Sequence, residues 1–343
     1  MHMYIKALKK VVVLILILVL VCSFLELCQR LNVYYHYWRD VRKFDDPLLE
    51  LVLPLDRREY VLKKNATFVT NNGITYSVNE KRLRGKEYAY EKPKDTYRIL
   101  MLGDSYLFGW GLQWKDTLTV RLEGLLNNNP IEKDKTYEVI NAGVYGYNTI
   151  QELELLKKEG LKYKPDIVFL YFVMNDIEPQ WNAPRHPRYE YEYCKFWFSD
   201  HLIRRINDHV AKVTKTSDPK FAVYRNRHST LYLRAFDKET YKWKSCKRAI
   251  LNLATLLKNR KIDFYVFVVP SFAQDFEEYR FYRIHSEIKK LCDDNDIKVI
   301  DLHGLFSDKK SDEFRISAEE THPNENANDI IANKIYLYLK NNG

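Results

Sequence analysis

Five short apolar runs, at residues 97–102, 137–140, 167–173, 264–269 and 298–302, constrain what this chain can fold into more than any other feature. Each has the length of a strand, and helical patterns near residues 117–126, 149–159, 246–258, 276–292 and 324–339 separate or follow them. Strands alternating with helices predict a parallel sheet with helices on both of its faces. At 343 residues and 46% hydrophobic content, the chain can bury one sizeable α/β core and still carry appendages. No internal repeat and no low-complexity linker divides it.

Loops that follow parallel strands converge on one sheet edge, so the residues after these runs are the candidate site. The first run leads into Gly103-Asp104-Ser105, where a glycine turn can lift a hydroxyl to that edge. Asn141-Ala142-Gly143-Val144-Tyr145-Gly146 follows the second run, and Asn175-Asp176 follows the third. His322 stands in Glu319-Glu320-Thr321-His322-Pro323-Asn324, just before the last helical pattern. A serine hydroxyl is a weak nucleophile near neutral pH. It needs an imidazole to accept its proton, and the imidazole needs a partner for its other nitrogen. Ser105, His322 and Glu319 supply those groups. Fixed donors would stabilise charge on an attacked carbonyl oxygen, for which Gly146 allows close backbone approach and Asn175 brings an uncharged amide.

These four segments, in this order, resemble the SGNH hydrolase superfamily, the GDSL-like esterases and lipases, over roughly residues 96–340. The resemblance implies a three-layer, flavodoxin-like catalytic domain over residues 96–343. It implies Ser105 as nucleophile, His322 as general base and Glu319 where the family usually has aspartate. The backbone N–H groups of Ser105 and Gly146 and the amide of Asn175 would form the oxyanion hole. The expected activity is hydrolysis of an acyl ester through an acyl-enzyme on Ser105. The alternatives are transfer of the acyl group to a polysaccharide hydroxyl by the same residues, or a non-catalytic glycan-binding protein of the same fold. Two positions depart from the family pattern: Val173 replaces the usual glycine and narrows the cleft floor, and Glu319 is one methylene longer than aspartate. Glu320 competes with Glu319, although its spacing fits less well. Asp104 reads as a brace for its loop, and the rival pair Asp301 and His303 as loop residues. No cluster of cysteines and histidines has metal-ligand spacing, so neither metal nor cofactor is expected.

The N-terminus is of another kind. Lys6, Lys9 and Lys10 precede an apolar run over residues 11–25, and continuation through Leu27 and Cys28 gives enough length to cross a bilayer. No small-x-small cleavage site follows, and Val21 before Cys22 argues against a lipoprotein, so residues 1–29 read as an uncleaved anchor. Positive charge ahead of the run places the N-terminus in the cytoplasm and the catalytic domain outside, against the opposing weight of Arg30, Arg39, Arg42 and Lys43. Residues 30–95 read as a connecting region. Within it, Tyr34, Tyr35, Tyr37 and Trp38 suit a membrane interface, Asn71-Asn72-Gly73 suits a hairpin turn, and residues 79–86 suit a polar loop. Cys194, Cys246 and Cys292 read as buried thiols, with a Cys194–Cys246 bridge the alternative.

Residues 177–245 are too long for an ordinary connection and read as an inserted lid. Residues 201–250 hold 13 lysines and arginines against 4 acidic residues, a net of +9, equal to the formal charge of the whole chain. Interleaved aromatics from Phe221 to Trp243 suggest an acidic glycan or lipid as the ester's carrier, with an ordinary solvated lid as the alternative. Nucleic acid is not expected as a partner, since no recognition motif is present.

Overall fold

The computed structural model describes residues 2–52, 56–177, 236 and 240–342. They fall in two compact units, one containing the N-terminal helix and the other beginning at Asp45. The first holds α1, His2–Lys43, a single helix that carries the apolar run and continues through Tyr34, Tyr35, Tyr37 and Trp38. Its Lys9–Lys43 stretch is long and apolar enough to cross a membrane, and its most apolar window has no buried share within the protein.

The second unit is built on five parallel strands: β5 (Thr96–Gly103), β6 (Thr136–Gly143), β7 (Ile167–Phe172), β8 (Asp263–Val268) and β9 (Lys298–Asp301). Two earlier hairpins use β1 (Leu49–Leu51) with β2 (Tyr60–Leu62) and β3 (Thr67–Val69) with β4 (Thr75–Ser77). Each residue of β7 is buried, as a central strand covered on both faces must be, and this accounts for its unbroken apolar run. The helices are α2 (Ser105–Phe108), α3 (Leu118–Asn128), α4 (Thr149–Lys158), α5 (Tyr241–Lys258), α6 (Tyr282–Asp293) and α7 (Glu325–Asn342). The α3 helix packs on α7, and α4 on α5, to form the flanking layers.

Strand order is β6-β5-β7-β8-β9, the flavodoxin-like order. The chain leaves β5 toward β6 on one side and returns to β7 on the other, so the order reverses between β5 and β7. A crevice opens at the carboxyl ends of strands at such a reversal. Ser105 follows β5 and Asn175 follows β7, which places both at that crevice.

Residues 45–95 belong to the same compact unit as the sheet rather than merely leading to it. Tyr60, Leu62, Tyr76 and Tyr88 are all buried. The hydroxyl of Tyr60 donates to the Tyr145 carbonyl at 3.1 Å, and that of Tyr147 to the Tyr60 carbonyl at 2.5 Å, binding β2 to the Gly146 loop. The Asn72-Gly73 turn joins β3 to β4, with Gly73 at φ +82°, a value that favours glycine. The loop expected at 79–86 is present, but it is not simply polar surface, because Arg84 within it is only 1% exposed.

Most of the lid expected at 177–245 lies outside the described residues, as does Cys194. Of its aromatics, Phe236 and Trp243 are buried and their rings lie 5.3 Å apart. Cys246 and Cys292 are buried free thiols. Burial holds Cys246 far above the ordinary thiol range and pushes Cys292 up to about 12.

Candidate active site

The turn after β5 is packed too closely for any larger residue. A Cβ at Gly103 would lie 2.8 Å from Leu107 Cβ, and one at Gly143 would lie 2.4 Å from the Phe108 nitrogen. Asp104 then caps α2 by accepting the Tyr106 N–H at 2.9 Å, which sets Ser105 as the first helical residue. The other end of α2 is held by Arg84, whose guanidinium donates to the carbonyls of Phe108 at 2.7 Å and Gly109 at 2.6 Å. Carbonyls at a helix C-terminus lack intrahelical partners, and a cation there satisfies them and favours the helix dipole. Burial lowers Arg84 to about 10, which still leaves it charged at neutral pH.

His322 approaches from the segment before α7. Its Nε2 lies 2.8 Å from Ser105 Oγ, and its Nδ1 bonds the Glu320 carboxylate. This corrects the expectation for Glu319, which is exposed and accepts instead from Ser317 Oγ at 3.1 Å. The cause lies in the backbone. Ile316 N–H bonds the His322 carbonyl, and Ser317 N–H bonds the Glu320 carbonyl, as in a hairpin. In an extended arm, residues two apart project to the same side, so position 320 shares a side with His322. Burial alone would raise the Glu320 carboxyl. Hydrogen bonds from His322 and from the Trp110 indole, with the imidazole charge, outweigh burial and hold it below the ordinary range.

Asn175 lies on the 3₁₀ turn Met174–Ile177 after β7, a turn fixed by Asp176 Oδ2 accepting the Val173 N–H at 2.7 Å. One N–H of its amide donates to Asp104 Oδ2 at 2.6 Å; a primary amide carries two. Asp104 thus braces both the serine turn and the asparagine turn. Ser105 Oγ is 3.3 Å from the same Asp104 oxygen, so its nearer acceptor is His322 Nε2. Gly146, at φ +77°, occupies the left-handed region that suits glycine.

A cleft of about 470 Å³ is lined by Ser105, His322, Gly146 and Asn175, together with Val173, Trp110, Tyr145 and Asp46. The structure therefore brings Ser105, Gly146, Asn175 and His322 to one cavity and leaves Glu319 outside it. Arg84, Trp110 and Asp46 carry no motif that would single them out in sequence. Asp301 and His303 belong to a separate cluster. The Tyr279 hydroxyl is 2.8 Å from His285 Nε2, and His285 Nδ1 is 2.8 Å from Asp301 Oδ1, which also accepts the His303 N–H at 2.9 Å.

A three-layer α/β unit with a serine, imidazole and carboxylate joined in series at a strand-order reversal has the architecture of an ester hydrolase. The GDSL-like Lipase/Acylhydrolase family matches residues 101–330, and the chain belongs to that family, as an SGNH-type ester hydrolase. Similar solved structures include an acetyl xylan esterase, AlAXEase, at 16% identity and a TM-score of 0.43, covering 70% of this chain and 98% of that one. The psychrotrophic esterase EstA from Pseudoalteromonas sp. shares 16% identity, with a TM-score of 0.43 and coverage of 71% and 97%. A lipase/acylhydrolase from Enterococcus faecalis shares 18% identity, with a TM-score of 0.40 and coverage of 71% and 96%. Among curated proteins, no sequence matches.

Proposed function

We propose that this protein is a membrane-anchored serine esterase that works through an acyl-enzyme on Ser105. The observation that carries this reading is the unbroken series from Glu320 through His322 to Ser105, with 2.8 Å between Nε2 and Oγ. Ser105 Oγ attacks the ester carbonyl carbon as its proton passes to His322 Nε2, and Glu320 holds the imidazolium that results. The carbonyl oxygen becomes an oxyanion, for which the N–H groups of Ser105 and Gly146 and the free amide hydrogen of Asn175 are the donors. As the tetrahedral intermediate collapses, His322 returns the proton to the leaving alcohol and Ser105 keeps the acyl group. Water then repeats the sequence, releasing the acid and restoring the hydroxyl. In the transferase alternative, a sugar hydroxyl takes the place of that water.

The length and apolarity of α1 support anchoring in the membrane, and the lysines before its apolar run support a catalytic unit outside the cytoplasm. The test is labelling of the full-length protein with a fluorophosphonate, followed by product analysis on a short-chain ester with and without added glycan. Labelling lost in Ser105→Ala, with free acid released, supports the esterase. Acyl-glycan as the main product favours the transferase. A folded protein that neither labels nor turns over ester removes the catalytic reading.

A further inference from the structure

One wall of the cleft comes from outside the region that matches the family. Asp46 lies ahead of residues 101–330, yet it lines the cleft that holds Ser105 and His322. Its carboxylate is fixed on one side only. Oδ1 accepts the N–H groups of Leu48 and Leu49, each at 2.8 Å, and the Tyr145 hydroxyl at 2.6 Å. Leu48 and Leu49 are buried, so this anchorage is rigid. Tyr145 remains a donor, because burial and the neighbouring Asp46 push its hydroxyl up.

Oδ2 has no partner among the described residues, and no cation there pairs with the carboxylate. The Lys63 amine bonds the Asp46 backbone carbonyl rather than its carboxylate. The Trp110 ring, also in the cleft wall, lies 5.1 Å from that of Tyr145 and stacks on Tyr76 at 5.2 Å. The wall thus combines an immobilised acceptor-only group with flat aromatic surface. A long hydrocarbon chain laid here would desolvate the carboxylate without repayment. A carboxylate or phosphate would meet like charge. A moiety with several hydroxyls can donate to Oδ2 and lay its C–H face on the rings.

We propose that Asp46, with Trp110 and Tyr145, forms a subsite for a hydroxyl-rich substrate moiety, so that the ester is that of an uncharged sugar or polyol. The proposal rests on the esterase reading above and narrows it. It also departs from the acidic carrier suggested by the basic residues at 201–250.

The test compares full-length wild type with Asp46→Asn in detergent on three esters: an acetylated methyl glucoside, an acetylated methyl glucuronoside and para-nitrophenyl acetate. The asparagine can still accept at Oδ1 from the same three donors, while the other atom changes from acceptor to donor. Relative to para-nitrophenyl acetate, kcat/KM for the glucoside ester should fall about tenfold, the scale of one lost hydrogen bond to a charged group. The glucuronoside-to-glucoside ratio should rise. Unchanged ratios, with all three rates falling together, would reduce Asp46 to a structural brace and overturn the proposal.

Should the variant fail to fold, competition on wild type decides: methyl glucoside should inhibit and methyl glucuronoside should not, and the reverse order overturns the subsite. If wild type hydrolyses none of the esters, the esterase reading fails, and ligand-observed NMR still reads the subsite. Methyl glucoside binding that Asp46→Asn abolishes supports it. Absent binding, or binding indifferent to the variant, overturns it.

Discussion

Glu320 takes a hydrogen bond from Nδ1 of His322 while its neighbour Glu319 faces Ser317 and solvent. The two carboxylates are adjacent in sequence and chemically alike, so their difference is one of projection alone. If Glu320 orients the base, Glu320→Ala should lower kcat on a short activated ester by about 10² to 10⁴-fold, as for the third member of other serine triads. Glu319→Ala should stay within about twofold, since exposed substitutions away from special contacts change little. Steady-state kinetics of the two variants side by side checks the assignment. Equal losses, or a larger loss in Glu319→Ala, would reverse it.

Arg84 holds the far end of the nucleophile's short helix through three carbonyls, those of Phe108, Gly109 and Leu112. Its guanidinium also lies over the Tyr76 ring, 4.6 Å from the centroid. Arg84→Met keeps much of the packing but takes the charged donor from all three carbonyls, leaving that of Gly109 with only the Leu112 N–H at 3.1 Å. The expected cost is at least about 3 kcal/mol of stability, from several lost hydrogen bonds to a charged group. Thermal unfolding of the variant should show it. Activity measured well below the new midpoint should fall in kcat and rise in KM together, because the segment Arg84 holds carries Ser105 and also Tyr106 and Trp110 of the cleft wall.

The sheet was legible in the sequence because its central strands are buried on both faces, so residues such as Ile167 through Phe172 have no polar alternation to blur them. The helix expected over 276–292 begins only at Tyr282. Phe276, Tyr279 and Phe281 mimic helical spacing while being buried in a turn segment. The α5 helix begins earlier than expected, at Tyr241, where the Thr240 hydroxyl caps the Trp243 N–H. The serine, histidine, glycine and asparagine of the site could be read because each sits where a strand or helix boundary falls. Glu320 could be read only as a competitor of Glu319, and Arg84 and Asp46 not at all. Their roles depend on a local hairpin or on partners distant in sequence, which pattern and spacing do not encode.

Asp176 of the asparagine turn and Glu152 of α4 are an unusual pair of buried carboxyls. Neither oxygen of Glu152, nor Oδ1 of Asp176, meets a partner among the described residues. Burial pushes both carboxyls well up, the nearby Asp104 charge raises both further, and Glu152 adds to the rise of Asp176. Their folded values exceed the unfolded ones, so the sign is the reverse of a salt-bridged acid. The stability they allow is full below about pH 4, where both states are protonated. It declines as pH rises and the unfolded chain ionises alone. Glu152→Gln removes that ionisation. Its melting temperature relative to wild type should therefore increase as pH rises above about 4. A difference that is constant with pH would mean that Glu152 is charged in the folded protein.

The series from Tyr279 through His285 to Asp301 ends at the cleft rather than at the reaction. Tyr279 is buried, and its hydroxyl accepts the N–H of Ser271, a residue of the cleft wall, at 3.0 Å, while meeting His285 on its other side. The hydroxyl can accept from Ser271 and donate to His285 only if His285 Nδ1 carries its proton toward Asp301, so the carboxylate fixes the tautomer. Tyr279→Phe would leave a buried N–H on Ser271 unpaired and loosen that wall. KM should then rise several-fold while kcat holds within about threefold, the pattern of lost binding rather than lost chemistry. His285→Gln, which can still accept from the tyrosine hydroxyl, should restore KM toward wild type relative to His285→Ala. Parallel losses of kcat in all three variants would place this series in the catalytic step instead.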